Sequence, residues 1–140
     1  MVTSTTIPSL LRRGATAVAA GRVALGVAAL AWPSVPARPW VGAEADGVAA
    51  RVFGRALGAR DLALGLGTLA ALQDPAPSAR NWVAAGALCD ALDVVASLSS
   101  WRELPQVTRW LVVASAGGAA LAGAAGALTL GAGAQDGRRA

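Results

Sequence analysis

Arg55-Ala-Leu-Gly-Ala-Arg-Asp-Leu-Ala-Leu-Gly65 sets an arginine beside an aspartate inside a run that is otherwise aliphatic or glycine. Neither charge belongs alone in hydrocarbon, where an ionised side chain near the bilayer centre costs about 2.5–3.5 kcal/mol on insertion scales. Yet the surrounding stretch, 48–72, has the length and composition of a membrane-crossing helix. If it is one, its charges must meet partners on other helices, and the chain must be organised around that need.

Composition points the same way. Of 140 residues, 55% are hydrophobic and 14% charged, against about 25% charged in an ordinary soluble domain. The mean hydropathy is +0.53. A soluble protein of this size exposes much of its surface and needs polar residues to cover it; this chain has too few. Hydropathy therefore favours an integral membrane protein, with an alanine-rich soluble helical bundle as the competing expectation. All twelve basic residues are arginine, which with the abundant Ala and Gly suggests a GC-rich bacterial source. The arginines are dispersed, without a basic cluster interleaved with aromatics, so no nucleic-acid partner is expected. The single cysteine, Cys89, excludes an intramolecular disulfide and any CxxC redox or zinc site. With no histidine, the usual general base and commonest metal ligand are missing. No metal, cofactor or catalytic site is expected, and the Gly117-Gly118 pair is not a phosphate loop because no Gly-Lys-Ser/Thr follows it.

Apolar runs fall at about 14–32, 48–72, 81–100 and 108–131, each long enough for an α-helix to cross a hydrocarbon core of about 30 Å. Backbone groups in lipid must be paired within the chain, so these runs read as helices. Prolines mark the breaks at Trp32–Pro39, Gln73–Ser78 and Arg102–Pro105, because proline removes a backbone donor and clashes with the preceding turn. The expected fold is a single all-α domain, residues 1–140, forming an integral membrane four-helix bundle in the inner (plasma) membrane. Arginine bookkeeping modestly favours both ends inside: Arg12, Arg13, Arg80, Arg138 and Arg139 on the cytoplasmic side, against Arg38 and Arg102 in the outer loops and Arg51 and Arg109 at the outer helix edges. Trp32, Trp40, Trp101 and Trp110 then gather at one interface and Trp82 at the other. The first segment also resembles a secretory or twin-arginine signal, but Arg22 interrupts its apolar region and its loss would strand the polar faces of the other three helices.

The ionisable groups at membrane depth are the candidate site: Arg22 in the first segment, Arg55, Arg60 and Asp61 in the second, Asp90 and Asp93 in the third. Three arginines against three aspartates make a neutral set. At 100° per residue, Asp90, Asp93 and Ser97 share a stripe with Gly86 that should face inward. Arg51, Arg55 and Asp61 lie near Gly54, Gly58 and Gly65, where close approach would bring the acidic stripe within reach. Arg60 falls on nearly the opposite side, so the expectation there is a partner on the first or fourth helix, or snorkelling. The cluster reads either as an ion-paired lock on helix register or as a functional site, such as a proton relay or a headgroup-sized pocket. In the fourth segment Ser115, Ala119, Gly123, Ala127 and Gly131 repeat every four residues, a pattern for close helix contact within the chain or for homo-oligomerisation. Cys89 reads as a packing residue.

The order of Gly54-Arg-Ala-Leu-Gly-Ala-Arg-Asp-Leu-Ala-Leu-Gly-Leu-Gly67 and then Cys89-Asp-Ala-Leu-Asp-Val-Val-Ala-Ser-Leu98 resembles uncharacterised bacterial four-helix membrane proteins of the DoxX-like type, over roughly 14–131. The resemblance implies the bundle just described. It also implies, for some members, quinone-coupled sulfur or thiol redox chemistry, for which this chain lacks the cysteines. The functional expectation is a non-enzymatic membrane protein, an accessory subunit or a binder of a hydrophobic ligand. The alternative is transport of a small solute or proton by the intramembrane carboxylates. A third possibility, an enzyme acting on a lipid or quinone, has an acidic stripe for acid–base work but no nucleophile.

Overall fold

The computed structural model describes residues 9–73 and 78–136. Among them the chain is helical, without a strand: α1 Ser9–Ala31, α2 Ser34–Val41, a 3-10 turn Gly42–Asp46, α3 Val48–Gln73, α4 Ser78–Ser99 and α5 Gln106–Asp136. The four long helices match the four apolar runs to within a few residues. The expected break at Gln73–Ser78 falls on 74–77, outside the described residues.

The proline-rich stretch after α1 is not an open turn. It forms α2, with Pro33 at the N-cap position and no side-chain capping hydrogen bond. Pro36 lies in the first turn, where the missing N–H would have had no helical acceptor, and Pro39 near the end costs so short a helix little. Gly42 ends α2 at φ +67 with its N–H on the Arg38 carbonyl, a left-handed conformation that side chains disfavour. Ser34 Oγ donates to the Ala45 carbonyl at 3.0 Å, tying the 3-10 turn back to α2.

α1 and α3 form one close pair and α4 and α5 another; α3 and α4 join the pairs along a narrower seam, and α1 barely touches α5. Glycine sets the first pair. A Cβ on Gly26 would stand 2.7 Å from the Gly58 carbonyl oxygen, and one on Gly65 2.7 Å from the Ala19 carbonyl oxygen. Those two contacts, seven residues apart on each helix, define an antiparallel register in which the backbones meet directly. In the second pair a Cβ on Gly123 would stand 2.9 Å from that of Ala87, and Ala127 is buried. This part of the small-residue stripe therefore packs against α4 within the chain; Gly131 lies outside the described contacts.

Large apolar side chains are widely exposed, and the buried core holds only small residues with Leu64, Leu72 and Leu104. Among the described residues no large side chain is fully buried, and alanines make up most of the core. Leu121 is 76% exposed, Trp110 69% and Phe53 68%, whereas Asp90 is 8% exposed. Among the described residues, α1 and Ala79–Ser99 within α4 are long and apolar enough to cross a membrane, and Val113–Leu128 of α5 is a shorter apolar run. α3 matches them in length but carries Arg51, Arg55, Arg60 and Asp61.

Trp32, Trp40, Trp101 and Trp110 all lie at the end of the molecule where α1 and α4 finish and α3 and α5 begin. There Trp101 and Trp110 pack edge to face with ring centroids 4.9 Å apart. Arg109 sits over the Trp101 ring at 5.6 Å while donating two hydrogen bonds to the Leu104 carbonyl. Trp82 belongs to the opposite end, against Gly67, where any Cβ would strike its ring.

Candidate functional site

Arg22, midway along α1, is the centre of the polar interior. Its Nη1 donates to Asp61 Oδ1 on α3 at 2.8 Å. Its Nη2 donates to Asp90 Oδ2 on α4 at 2.5 Å and to the Gly86 carbonyl at 3.2 Å. Gly86 also supplies space, since a Cβ there would stand 3.4 Å from Nη2. The sequence stripe that grouped Gly86 with Asp90 is thus the surface on which the guanidinium lands.

The network continues through α3. Asp61 Oδ1 also accepts from Arg60 Nη2 at 3.4 Å, and Arg60 grips Asp93 of α4 through Nη1 at 3.0 Å and Nη2 at 2.8 Å. The order is Asp93, Arg60, Asp61, Arg22, Asp90, with charges alternating across three helices. Two-pronged guanidinium–carboxylate contacts of this kind are the strong, directional form of the interaction. The polar connection reaches α2 as well: Trp40 Nε1 donates to Ser97 Oγ at 3.2 Å, and that hydroxyl donates to the Asp93 carbonyl at 2.7 Å.

Two sequence expectations need correction. Arg60 meets neither the first nor the fourth long helix, nor does it snorkel; its partner is Asp93 on the third. The helical wheel placed Arg60 opposite the glycine stripe correctly, but the stripe at Gly58 and Gly65 is taken by α1, so the opposite side of α3 is where α4 packs. Arg55 lies outside the cluster. It is exposed, and its Nε donates to the Leu30 carbonyl at 3.3 Å, capping one of the carbonyls left over at the C-terminus of α1. The expected neutral set of six is a set of five: Arg22, Arg60, Asp61, Asp90 and Asp93 are brought together, and Arg55 is not. Three carboxylates face two guanidiniums.

The gap between α1 and α5 is a cavity of about 270 Å³, at the small end of ligand pockets, which run to about 300–1,000 Å³. Its walls are aliphatic and small, including Val18, Leu72, Val83 and Ala119, with Trp82 toward one end. Arg22 and Asp90 line it, so the ion network closes one side of an otherwise apolar chamber. Thr68 also lines it, with its hydroxyl already donated to the Leu64 carbonyl at 2.8 Å. The cavity had no signature in the sequence, because it arises from the failure of α1 and α5 to close. Among the described residues no three His, Cys, Asp or Glu side chains are grouped to hold a metal ion, and Cys89 is a free thiol.

No protein-family model, no curated protein and no solved structure matches the chain.

Proposed function

We propose that the chain is a small multi-pass membrane protein, a four-helix bundle of α1, α3, α4 and α5 in the inner (plasma) membrane with both ends cytoplasmic. Its interior cavity binds a hydrophobic ligand and it catalyses no reaction. The outward leucines and tryptophans around buried charges support the membrane reading. The observation that carries the binding reading is the apolar chamber between α1 and α5, floored by Arg22 and Asp90. Apolar pockets with a few convergent polar groups are the usual form of small-molecule sites. As an accessory subunit it would present its outward aliphatic faces to a membrane partner or a second copy, since α4 already covers Gly123.

The test is the content of the cavity. Gly14 lines it, and a Cβ there meets nothing within 4 Å, so Gly14→Leu adds apolar bulk at the cavity wall from a position whose first side-chain atom has room. Protein purified from its native membrane in mild detergent should retain a small hydrophobic compound, visible by mass spectrometry of the extract, that Gly14→Leu loses. Identical extracts from the two proteins would contradict the proposal.

A second reading, movement of a proton or small solute, is favoured by one observation: the network runs unbroken from Asp93 to Asp90 at the cavity wall. It requires proteoliposome flux that falls in Asp90→Asn and Asp93→Asn.

A further inference from the structure

The binding reading leaves open which ligand the chamber takes, and the charge inventory of its wall narrows the choice. Arg22 spends its two terminal nitrogens on Asp61, Asp90 and the Gly86 carbonyl. Arg60 spends its own on Asp93 and Asp61. Arg55, which would have balanced the third aspartate, is held away at the Leu30 carbonyl. On α5, no charged residue occurs between Arg109 and Leu128, so the fourth wall contributes nothing. Arg12, Arg13 and Arg80 are exposed and do not line the cavity. Counted with all five groups ionised, the network is one negative charge in excess, and of its carboxylates only Asp90 reaches the chamber.

We infer that the chamber selects a compact hydrophobic cation, a primary amine on an apolar body, with its ammonium on Asp90 and its body against Val18, Val83 and Ala119. An ammonium there completes a set of three positive and three negative groups. An anionic head would add a second uncompensated negative charge in a medium that screens poorly, where like charges repel strongly. A long acyl chain fits the chamber less well than a compact body, because the volume is small and the walls are formed by side chains from four helices. This inference rests on the binding reading above.

Three probes share one cage and differ only in head group: 1-aminoadamantane, 1-adamantanol and 1-adamantanecarboxylate. Saturable binding of each is measured to the full chain in nanodiscs of zwitterionic lipid, with empty nanodiscs subtracted. The expected order is amine, then alcohol, then carboxylate, with about tenfold or more between the first and last. Asp90→Asn should bring the amine down to the level of the alcohol while leaving alcohol binding in place, which shows that the cavity is intact. If Asp90→Asn abolishes alcohol binding too, Asp93→Asn takes its place, since it removes a carboxylate of the same network without lining the cavity; the amine should then lose its advantage over the alcohol, and an undiminished preference would overturn the inference. Equal binding of all three probes would leave the cavity reading standing and overturn this one, because a proton would then already balance the third carboxylate. Preference for the carboxylate would overturn it as well, by making Arg22 the recognised group. Absence of saturable binding by any probe would remove the binding reading itself.

Discussion

At the scale of single residues, the arrangement makes Arg22 and its carboxylates unequal. Removing one member of a buried pair typically costs about 3–5 kcal/mol, because the partner is left uncompensated, whereas exposed pairs are worth about 0–1 kcal/mol. Arg22→Gln leaves Asp90 without a guanidinium and Asp61 with only its 3.4 Å contact to Arg60, which deepens the formal negative excess. Asp90→Asn leaves two carboxylates against two guanidiniums, with Arg22 still bound to Asp61. Thermal unfolding in detergent should therefore rank Arg22→Gln as clearly more damaging than Asp90→Asn. Asp46→Asn, which breaks the exposed Arg38–Asp46 contact, should lie near the unsubstituted protein. Equal losses for Arg22→Gln and Asp90→Asn would mean that Arg22 is not the hub. The residues of this network were legible in the sequence, because charges in a long apolar run have few other reasons to be there. Their pairing was not. A wheel gives directions around one helix, and which neighbour occupies each direction is decided by packing, as Arg60 and Arg55 illustrate.

At the scale of elements, the molecule is two hairpin-like pairs held by small residues. The α1–α3 crossing has no room for a methyl group: a Cβ on Gly26 meets the Gly58 carbonyl and the Leu62 amide nitrogen at 2.7 Å, and backbone atoms cannot turn aside. Gly26→Ala must push the helices apart, at a cost of about 1–3 kcal/mol for overpacking and with Arg22 drawn away from Asp61. A Cβ on Gly21 meets nothing within 4 Å, so Gly21→Ala should be neutral or stabilising by about 0.5–1 kcal/mol through helix propensity. Opposite shifts in melting temperature are expected for these chemically identical changes; shifts of the same sign would mean that the helices do not cross there. The four long helices could be read from the sequence because length and apolarity suffice for that. α2 could not, since Trp32–Pro39 carries the residues of a turn, and only the positions of Pro33 and Pro36 at the helix start make it helical. The cavity between α1 and α5 was equally hidden, being a property of how two pairs meet.

At the scale of the whole molecule, the account rests on an inside-out distribution: Arg22, Asp90 and Ser97 turned in, large aliphatic side chains turned out. Exposing apolar area to water costs about 25 cal/mol per Å², and the proposed membrane placement removes that cost. The competing soluble helical bundle would need those same outward positions wet. Spin labels placed one at a time at Leu25, Leu92 and Leu121 on a Cys89→Ala background separate the two cases, because these positions are 56%, 57% and 76% exposed on three different helices. With the protein reconstituted in nanodiscs, relaxation of each label by dissolved oxygen and by a water-soluble nickel chelate is compared. All three labels should be reached by oxygen and shielded from the chelate, as in hydrocarbon. Labels open to the chelate at all three positions would place these faces in water and contradict it.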